Sequence, residues 1–248
     1  MAGTPTEIQI SNRFESYDRY LSKEWEDFCN DQTRWDASLK ALDGVKVSRV
    51  IDIGCGAGQE MLPFVSEGAL GVGVDVMPDA GKMGKQLFAA EGLSDRAHFI
   101  RASGSKLPFP NGHFDLSICR VALSYMDNHH ALAEIARVIR PGGRFLLKYA
   151  TPAYYWTKFR SGIARAYPMS SVHAARVLYA GYVYQLTGRQ RFDRLTAGGE
   201  IFQTESTLLR EIEPLGMRVT GFLPDSNPET PSVVITKMSE PAASVPAI

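Results

Sequence analysis

Val50-Ile51-Asp52-Ile53-Gly54-Cys55-Gly56-Ala57-Gly58 is an apolar run that closes on an acid and three glycines at alternate positions. Val50, Ile51 and Ile53 are β-branched and suit a strand buried in a parallel sheet. Glycines at every second position let the chain turn sharply and bring its backbone against a ligand. The spacing G-x-G-x-G departs from the dinucleotide fingerprint G-x-G-x-x-G, whose third glycine would fall here on Gln59. Asp52 would repel a pyrophosphate, but it can hydrogen-bond the ammonium end of an amino-acid ligand. Downstream, Gly71-Val72-Gly73-Val74-Asp75-Val76 is a second apolar stretch ending in an acid, placed so that its carboxylate can accept hydrogen bonds from both hydroxyls of a ribose.

Working outward, apolar positions at three- and four-residue spacing between Phe14 and Leu42 predict two helices ahead of the first strand, the second closed by Asp43-Gly44. Strand one is expected over Val45–Ile53, a crossover helix over Gln59–Ser66, strand two over Val72–Val76, and a helix over Ala80–Glu91 that stops at Gly92. Ala97–Arg101 and Phe114–Cys119 read as strands three and four, separated by the proline-rich turn Leu107–Gly112. A helix over 128–140 is broken by Pro141-Gly142-Gly143, and Arg144–Tyr149 gives strand five. A helix at Glu205–Leu215 and strands at Met217–Leu223 and Val233–Lys237 add a closing antiparallel pair. The alternation predicts an α/β fold: a doubly wound, mostly parallel seven-stranded sheet with a helical insertion after strand five and ligands beyond the carboxyl ends of the strands.

Composition sets limits. Lys plus Arg equals Asp plus Glu at 27 each, so no overall field draws the chain to nucleic acid or to a membrane surface. Arg189, Arg191 and Arg194 form a local basic cluster that reads as a solvated face. Cys29, Cys55 and Cys119 are odd in number and far apart, which argues against a disulfide framework or a metal site. Residues 1–11 carry no leader pattern and no stretch is long enough to span a bilayer, so a cytoplasmic location is expected. Residues 239–248, rich in Pro and Ala, are expected to form a loose tail.

Three further segments accompany the glycine turn in order: Leu107-Pro108-Phe109 followed by Phe114-Asp115, then Glu134-Ile135-Ala136-Arg137-Val138-Ile139-Arg140-Pro141-Gly142-Gly143. In this combination the chain resembles the class I S-adenosylmethionine (SAM) dependent methyltransferases, small-molecule branch, over residues 45–150 and less specifically over 200–238. The resemblance implies SAM as cofactor, with S-adenosylhomocysteine as product, held by Asp52, Gly54, Cys55, Gly56, Gly58, Asp75, Val76, Ser103, Gly104, Cys119 and Arg120. Ser103 stands where many relatives carry an acid that meets the adenine amino group. A hydroxyl can accept the same hydrogen bond without charge assistance. The implied activity is methyl transfer to an oxygen or nitrogen of a small molecule. A non-catalytic SAM or nucleoside binder is the alternative, and a nicotinamide oxidoreductase is disfavoured by the glycine spacing.

Residues 1–44 would then cover the cofactor, with Tyr17 and Tyr20 on the first helix as candidate substrate-binding residues. Residues 151–199 form an aromatic-rich insertion expected to act as a lid or substrate wall through Tyr154, Tyr155 and Trp156, together with Tyr125 after strand four. Methyl transfer from a sulfonium is an in-line displacement that depends mainly on alignment, so a general base is optional. His173 in the insertion is the weak candidate for one, ahead of His98, His113 and the pair His129-His130. Ser124 and Tyr125 stand where some relatives place a histidine. The acceptor and the oligomeric state are not legible in the residues.

Overall fold

The computed structural model describes residues 5–42 and 44–239, with side chains from Tyr17 onward. The expected tail and Asp43 lie outside the described residues, apart from Ser239. Two helices, α1 (Pro5–Cys29) and α2 (Gln32–Lys40), precede the sheet; Asp31 caps α2 by accepting a hydrogen bond from the Arg34 amide. The sheet has seven strands in the order β3-β2-β1-β4-β5-β7-β6. They span β1 Arg49–Ile53, β2 Leu70–Asp75, β3 Ala97–Arg101, β4 Phe114–Arg120, β5 Ile139–Lys148, β6 Met217–Phe222 and β7 Ser232–Lys237. The first five are parallel, β7 runs antiparallel to β5, and β6 antiparallel to β7. The strand order reverses between β1 and β4, and in such sheets the ligand crevice opens there, outside the carboxyl ends.

The sheet is covered on both faces, as a parallel sheet of β-branched strands must be. Helices α3 (Leu62–Ser66) and α4 (Pro78–Ala90) join α1 and α2 over Val50, Leu116, Ile118 and Leu146. Helices α5 (Asn128–Val138) and α8 (Glu205–Ile212) pack over Ile51, Ile53, Phe145 and Leu147. Alternate residues of β1 thus enter opposite cores, which fixes the register of the strand that carries the glycine turn. The insertion is a pair of helices, α6 (Pro152–Ala164) and α7 (Pro168–Thr187), with a small core of its own around Tyr155, Val177, Leu178 and Phe202.

Several boundaries differ from the expectation. β1 begins at Arg49, not Val45, and β2 at Leu70. The first crossover opens as a 3-10 turn over Gln59–Met61 before α3, because Gly58 at its N-cap holds φ +81° and leaves no side-chain cap. Pro141-Gly142-Gly143 does not separate helix from strand. β5 starts at Ile139 beside Phe114 and loops these three residues out with Arg140 as a bulge, resuming with Arg144 beside Leu116. Gly143 makes this possible, since a Cβ there would lie 2.8 Å from the Asp115 carbonyl oxygen.

The two later motifs form one structural unit. Glu134 accepts a hydrogen bond from the Leu107 amide at 2.7 Å, while Arg137 donates to the carbonyls of Phe109 at 2.6 Å and Leu107 at 3.0 Å. Glu134 and Arg137 also pair with each other at 2.6 Å, and the guanidinium holds the Glu134 carboxyl below its ordinary range. The acid and the arginine of α5 thereby clamp the proline-rich turn that a helix alone could not order.

Candidate active site at the strand ends

The glycine turn leaves β1 with Gly54 at φ +70° and Gly56 at φ +53°, conformations that cost an L-residue roughly 1–2 kcal/mol each. A Cβ on Gly54 would also stand 2.2 Å from Cβ of Ala122, so backbone and neighbour both demand glycine. The Gly54 and Cys55 amides donate to the Val74 carbonyl at 2.8 and 3.2 Å, tying the turn to the end of β2. Asp75 then braces the turn from below: its carboxylate accepts from the Gly56 amide at 3.1 Å and from the Met77 amide at 2.9 Å. Opposite, the backbone of Val121 after β4 holds φ +64°, a genuine outlier for a β-branched residue and the kind of strain that collects at functional sites.

These ends border a cavity of about 990 Å³, large enough for a nucleoside-sized ligand with a second small molecule. Gly54, Cys55, Gly56, Asp75, Val76, Ser103, Gly104 and Arg120 line it, as do Tyr17, Tyr20, Tyr125 and Tyr154. Tyr20 and Tyr125 are more than half exposed at its mouth. Partial desolvation against the cavity wall, followed by neighbouring acids and phenols, pushes the Tyr125 hydroxyl up to about 12, and desolvation likewise raises those of Tyr17 and Tyr20. All three phenols therefore stay neutral near pH 7.

Other expected residues lie elsewhere. Asp52 and Cys119 are buried beneath the cavity and Gly58 sits behind the turn. Burial pushes the Cys119 thiol up to about 12, which fits a small core residue and not a nucleophile. Tyr155 is 1% exposed, and its hydroxyl donates to Glu200 at 2.7 Å, so it belongs to the insertion's core and not to a substrate wall. Trp156 faces away from the cavity wall, packed edge-on against Phe159. His173 is held at 3.0 Å from the same Glu200 and does not line the cavity, as is also true of the other four histidines.

A chain of charged groups that the sequence reading missed crosses the floor of the cavity. Arg34 of α2 pairs with Glu60, Glu60 lies 3.1 Å from Nε of Arg120, Arg120 pairs with Asp225, and Asp225 accepts from Lys148 at 2.8 Å. The Glu60–Arg120 approach is close in distance but too poorly angled for a hydrogen bond, so Nε of Arg120 and Nε of Arg34 remain buried without acceptors. Burial would raise the Asp225 carboxyl, yet the adjacent Arg120 and Lys148 more than offset it and hold the group well below the carboxylate range. Arg34 shifts the other way: burial and then the like charge of Arg120 lower it. Within this chain of five groups the cations outnumber the acids by one.

Next to this floor, Asp52 is 2% exposed and its Oδ2 has no hydrogen-bond partner. Burial, followed by repulsion from Asp75, pushes its carboxyl up to about 7 in spite of Arg120 and Arg34. An orphaned acceptor beside orphaned guanidinium donors is the donor set that a zwitterionic amino-acid group requires, and the residues present therefore fit the methionine end of SAM. Asp75, Val76 and Ser103 line the same cavity.

A doubly wound sheet in this strand order, with a G-x-G-x-G turn, a buried acid before it and a second acid at the next strand end, is the arrangement that the resemblance to class I SAM-dependent methyltransferases implies. Residues 51–147 match the family described as "Methyltransferase domain". Among curated relatives, the sterol 4-C-methyltransferase of Caenorhabditis elegans is 38% identical over 98 residues, covering 39% of this chain and 29% of that protein. The ubiquinone/menaquinone biosynthesis C-methyltransferase of Azotobacter vinelandii is 32% identical over 125 residues, 48% of this chain and 49% of that protein. The match thus spans less than half the length of these relatives. A SAM-dependent methyltransferase from Aquifex aeolicus shares the fold with a TM-score of 0.57 at 14% identity, over 89% of this chain and 98% of that one. Among the described residues no helix is long and apolar enough to cross a membrane, and no cluster of His, Cys, Asp and Glu could hold a metal ion.

Proposed function

We propose that this chain transfers the methyl group of SAM to a small molecule bound at the tyrosine-lined mouth of the cavity. The observation that carries the reading is the pairing of an orphaned buried carboxylate, Asp52, with orphaned guanidinium nitrogens on Arg34 and Arg120, directly under a glycine turn braced by Asp75. When bound, SAM supplies an electrophilic methyl on a sulfonium. The residues position its amino-acid end over Asp52, Arg34 and Arg120, accept ribose hydrogen bonds at Asp75, and leave Ser103 for the adenine edge.

The cavity wall then favours an acceptor that brings its own nucleophile. No histidine lines it, and the hydroxyls of Tyr17, Tyr20 and Tyr125 are held neutral, so they donate hydrogen bonds and do not remove protons. An oxygen that is acidic enough to arrive ionised, or a neutral amine, meets this requirement, and alignment supplies the acceleration. A carbon made nucleophilic by a neighbouring ionised oxygen has the same need, and the names of the sterol and quinone C-methyltransferases keep that reading beside the first. In this arrangement α1 and α2 cover the cofactor end through Tyr17, Tyr20 and Arg34, and Tyr154 of the insertion closes the acceptor end.

A mass-shift screen tests it. The protein is incubated with SAM and metabolite extracts, including their lipid fraction, and products gaining one methylene unit are identified and fragmented to locate the new methyl on oxygen, nitrogen or carbon. Tight SAM binding with no product from any fraction would favour a binding protein over an enzyme.

A further inference from the structure

The net charge of zero conceals a segregation. Residues 151–199 contain seven lysines and arginines against one acid, Asp193, so the insertion carries a surplus of six positive charges while the rest of the chain carries an equal negative surplus. Asp193 pairs with Arg191 at 3.0 Å; among the described residues, the remaining six basic side chains of the insertion have no acidic partner within ion-pair distance. The same segment holds ten of the eighteen large apolar or aromatic side chains that the described structure exposes.

Those side chains are ordered. On α7, Val172, Tyr179 and Leu186 recur every seven residues and are 50%, 52% and 87% exposed, with Met169 at the head of the same face and Arg176 within it. Opposite them, Ala174, Val177, Leu178 and Gly181 are buried against the protein. On α6, Trp156 and Ile163 are likewise exposed and seven apart, with Arg160 between them, while Tyr155 and Gly162 face inward. Helices of this kind have two apolar faces, one that the fold uses and one that it does not. Exposed apolar patches of this extent, set among basic residues, mark an interaction site and not a solvated face.

We infer that the outer face of α6 and α7 docks the protein on an anionic lipid bilayer. Apolar and basic groups alternating along one face match the two components of such a surface, acyl chains below and negative headgroups above, with each basic residue adding to the attraction. A second copy of this chain fits less well, because it would bring a like surplus of charge against the surplus already present. Trp156 and Tyr154 lie on the same helix, one outward and one in the cavity wall, so docking through this face sets the cavity mouth close to the membrane and gives lipid-dissolved molecules a short path to it. This assignment stands apart from the methyl-transfer reading, since docking can be measured without turnover. The expectation of no membrane partner rested on total charge, which the segregation makes uninformative, and on the lack of a spanning stretch, which surface docking does not require.

The test is co-sedimentation of the full chain with phosphatidylcholine vesicles and with vesicles containing about one third phosphatidylserine. The expected result is binding to the anionic vesicles only, reduced by raised salt, with a blue shift of the exposed Trp156 emission. Val172→Glu combined with Leu186→Glu should lower the bound fraction about ten-fold or more, and Arg160→Glu combined with Arg176→Glu should abolish the preference for anionic lipid. Val172, Leu186 and Arg160 are exposed and Arg176 is half-buried, and thermal melts matching the parent confirm that the fold is kept. Absence of binding to anionic vesicles would overturn the assignment. So would a dimer that the Val172→Glu, Leu186→Glu variant converts to monomer without any lipid effect, which would give the face to a second copy.

Discussion

Replacing Asp52 by Asn isolates the group on which the cofactor assignment depends. Its carboxyl has an ordinary value of 3.8 and is pushed to about 7 in the fold by burial and then by Asp75. Between those values the folded protein keeps a proton that the unfolded chain has released. The folded state therefore binds more protons, and stability falls as pH rises from about 4 to about 7, the loss being complete above 7. A shift of roughly three units corresponds to about 4 kcal/mol at 1.36 kcal/mol per unit, an upper bound because water and side chains relax around a new charge. Between pH 5 and pH 8 only about two pH units of this loss are traversed, about 2.7 kcal/mol; taking about half, and roughly 2–4 °C per kcal/mol for a chain of this size, removal of the titration should raise the melting temperature of the variant relative to the parent by about 3–5 °C over that range. Thermal denaturation of both proteins without ligand at pH 5, 6, 7 and 8 measures this slope, which is independent of any constant cost of the amide. Saturating S-adenosylhomocysteine should then stabilise the parent more than the variant at pH 8, because its ammonium favours the ionised carboxyl. A difference between parent and variant that does not change with pH would refute the reasoning.

Other expectations concern neighbouring residues. Asp75→Ala removes a carboxylate that can accept two ribose hydrogen bonds, and calorimetric titration should show SAM affinity falling about 10- to 100-fold while the chain stays folded, since Asp75 is only half-buried. Gly54→Ala meets Ala122 and a left-handed backbone together, so about 2–4 kcal/mol of stability should be lost in denaturant melts, with cofactor binding lost as well. Tyr155→Phe strands a buried Glu200 oxygen and should cost about 1–3 kcal/mol in the same melts without altering methyl transfer. His173→Gln should leave the rate of methyl transfer and its pH profile unchanged, because this histidine does not reach the cavity.

What was legible in the sequence was whatever is set locally. The β-branched run before Gly54 and the acids at Asp52 and Asp75 each read correctly as strand ends, because strand, turn and acid follow one another directly in the chain. The bulge at Pro141-Gly142-Gly143 was not legible: the residues signal a break, and only the partner strand β4 turns that break into a loop within β5. The charged floor was hidden for a different reason. Arg34, Glu60, Lys148 and Asp225 come from four distant segments, and each alone reads as a solvated charge. Lys148 at the end of an apolar strand was the available signal. The insertion's aromatics divide between core and cavity at single-residue resolution, Tyr154 lining the cavity and Tyr155 buried, and helix periodicity does not identify the inward face until α7 is packed on it.

The most direct measurement is isothermal titration of the purified chain with S-adenosylhomocysteine at pH 7.5, followed by the same titration with NAD. One molecule of S-adenosylhomocysteine bound per chain, with no heat from NAD and with affinity lost in Asp75→Ala, is the predicted result. A folded protein that ignores S-adenosylhomocysteine, or that binds NAD in its place, would contradict the assignment of this cavity.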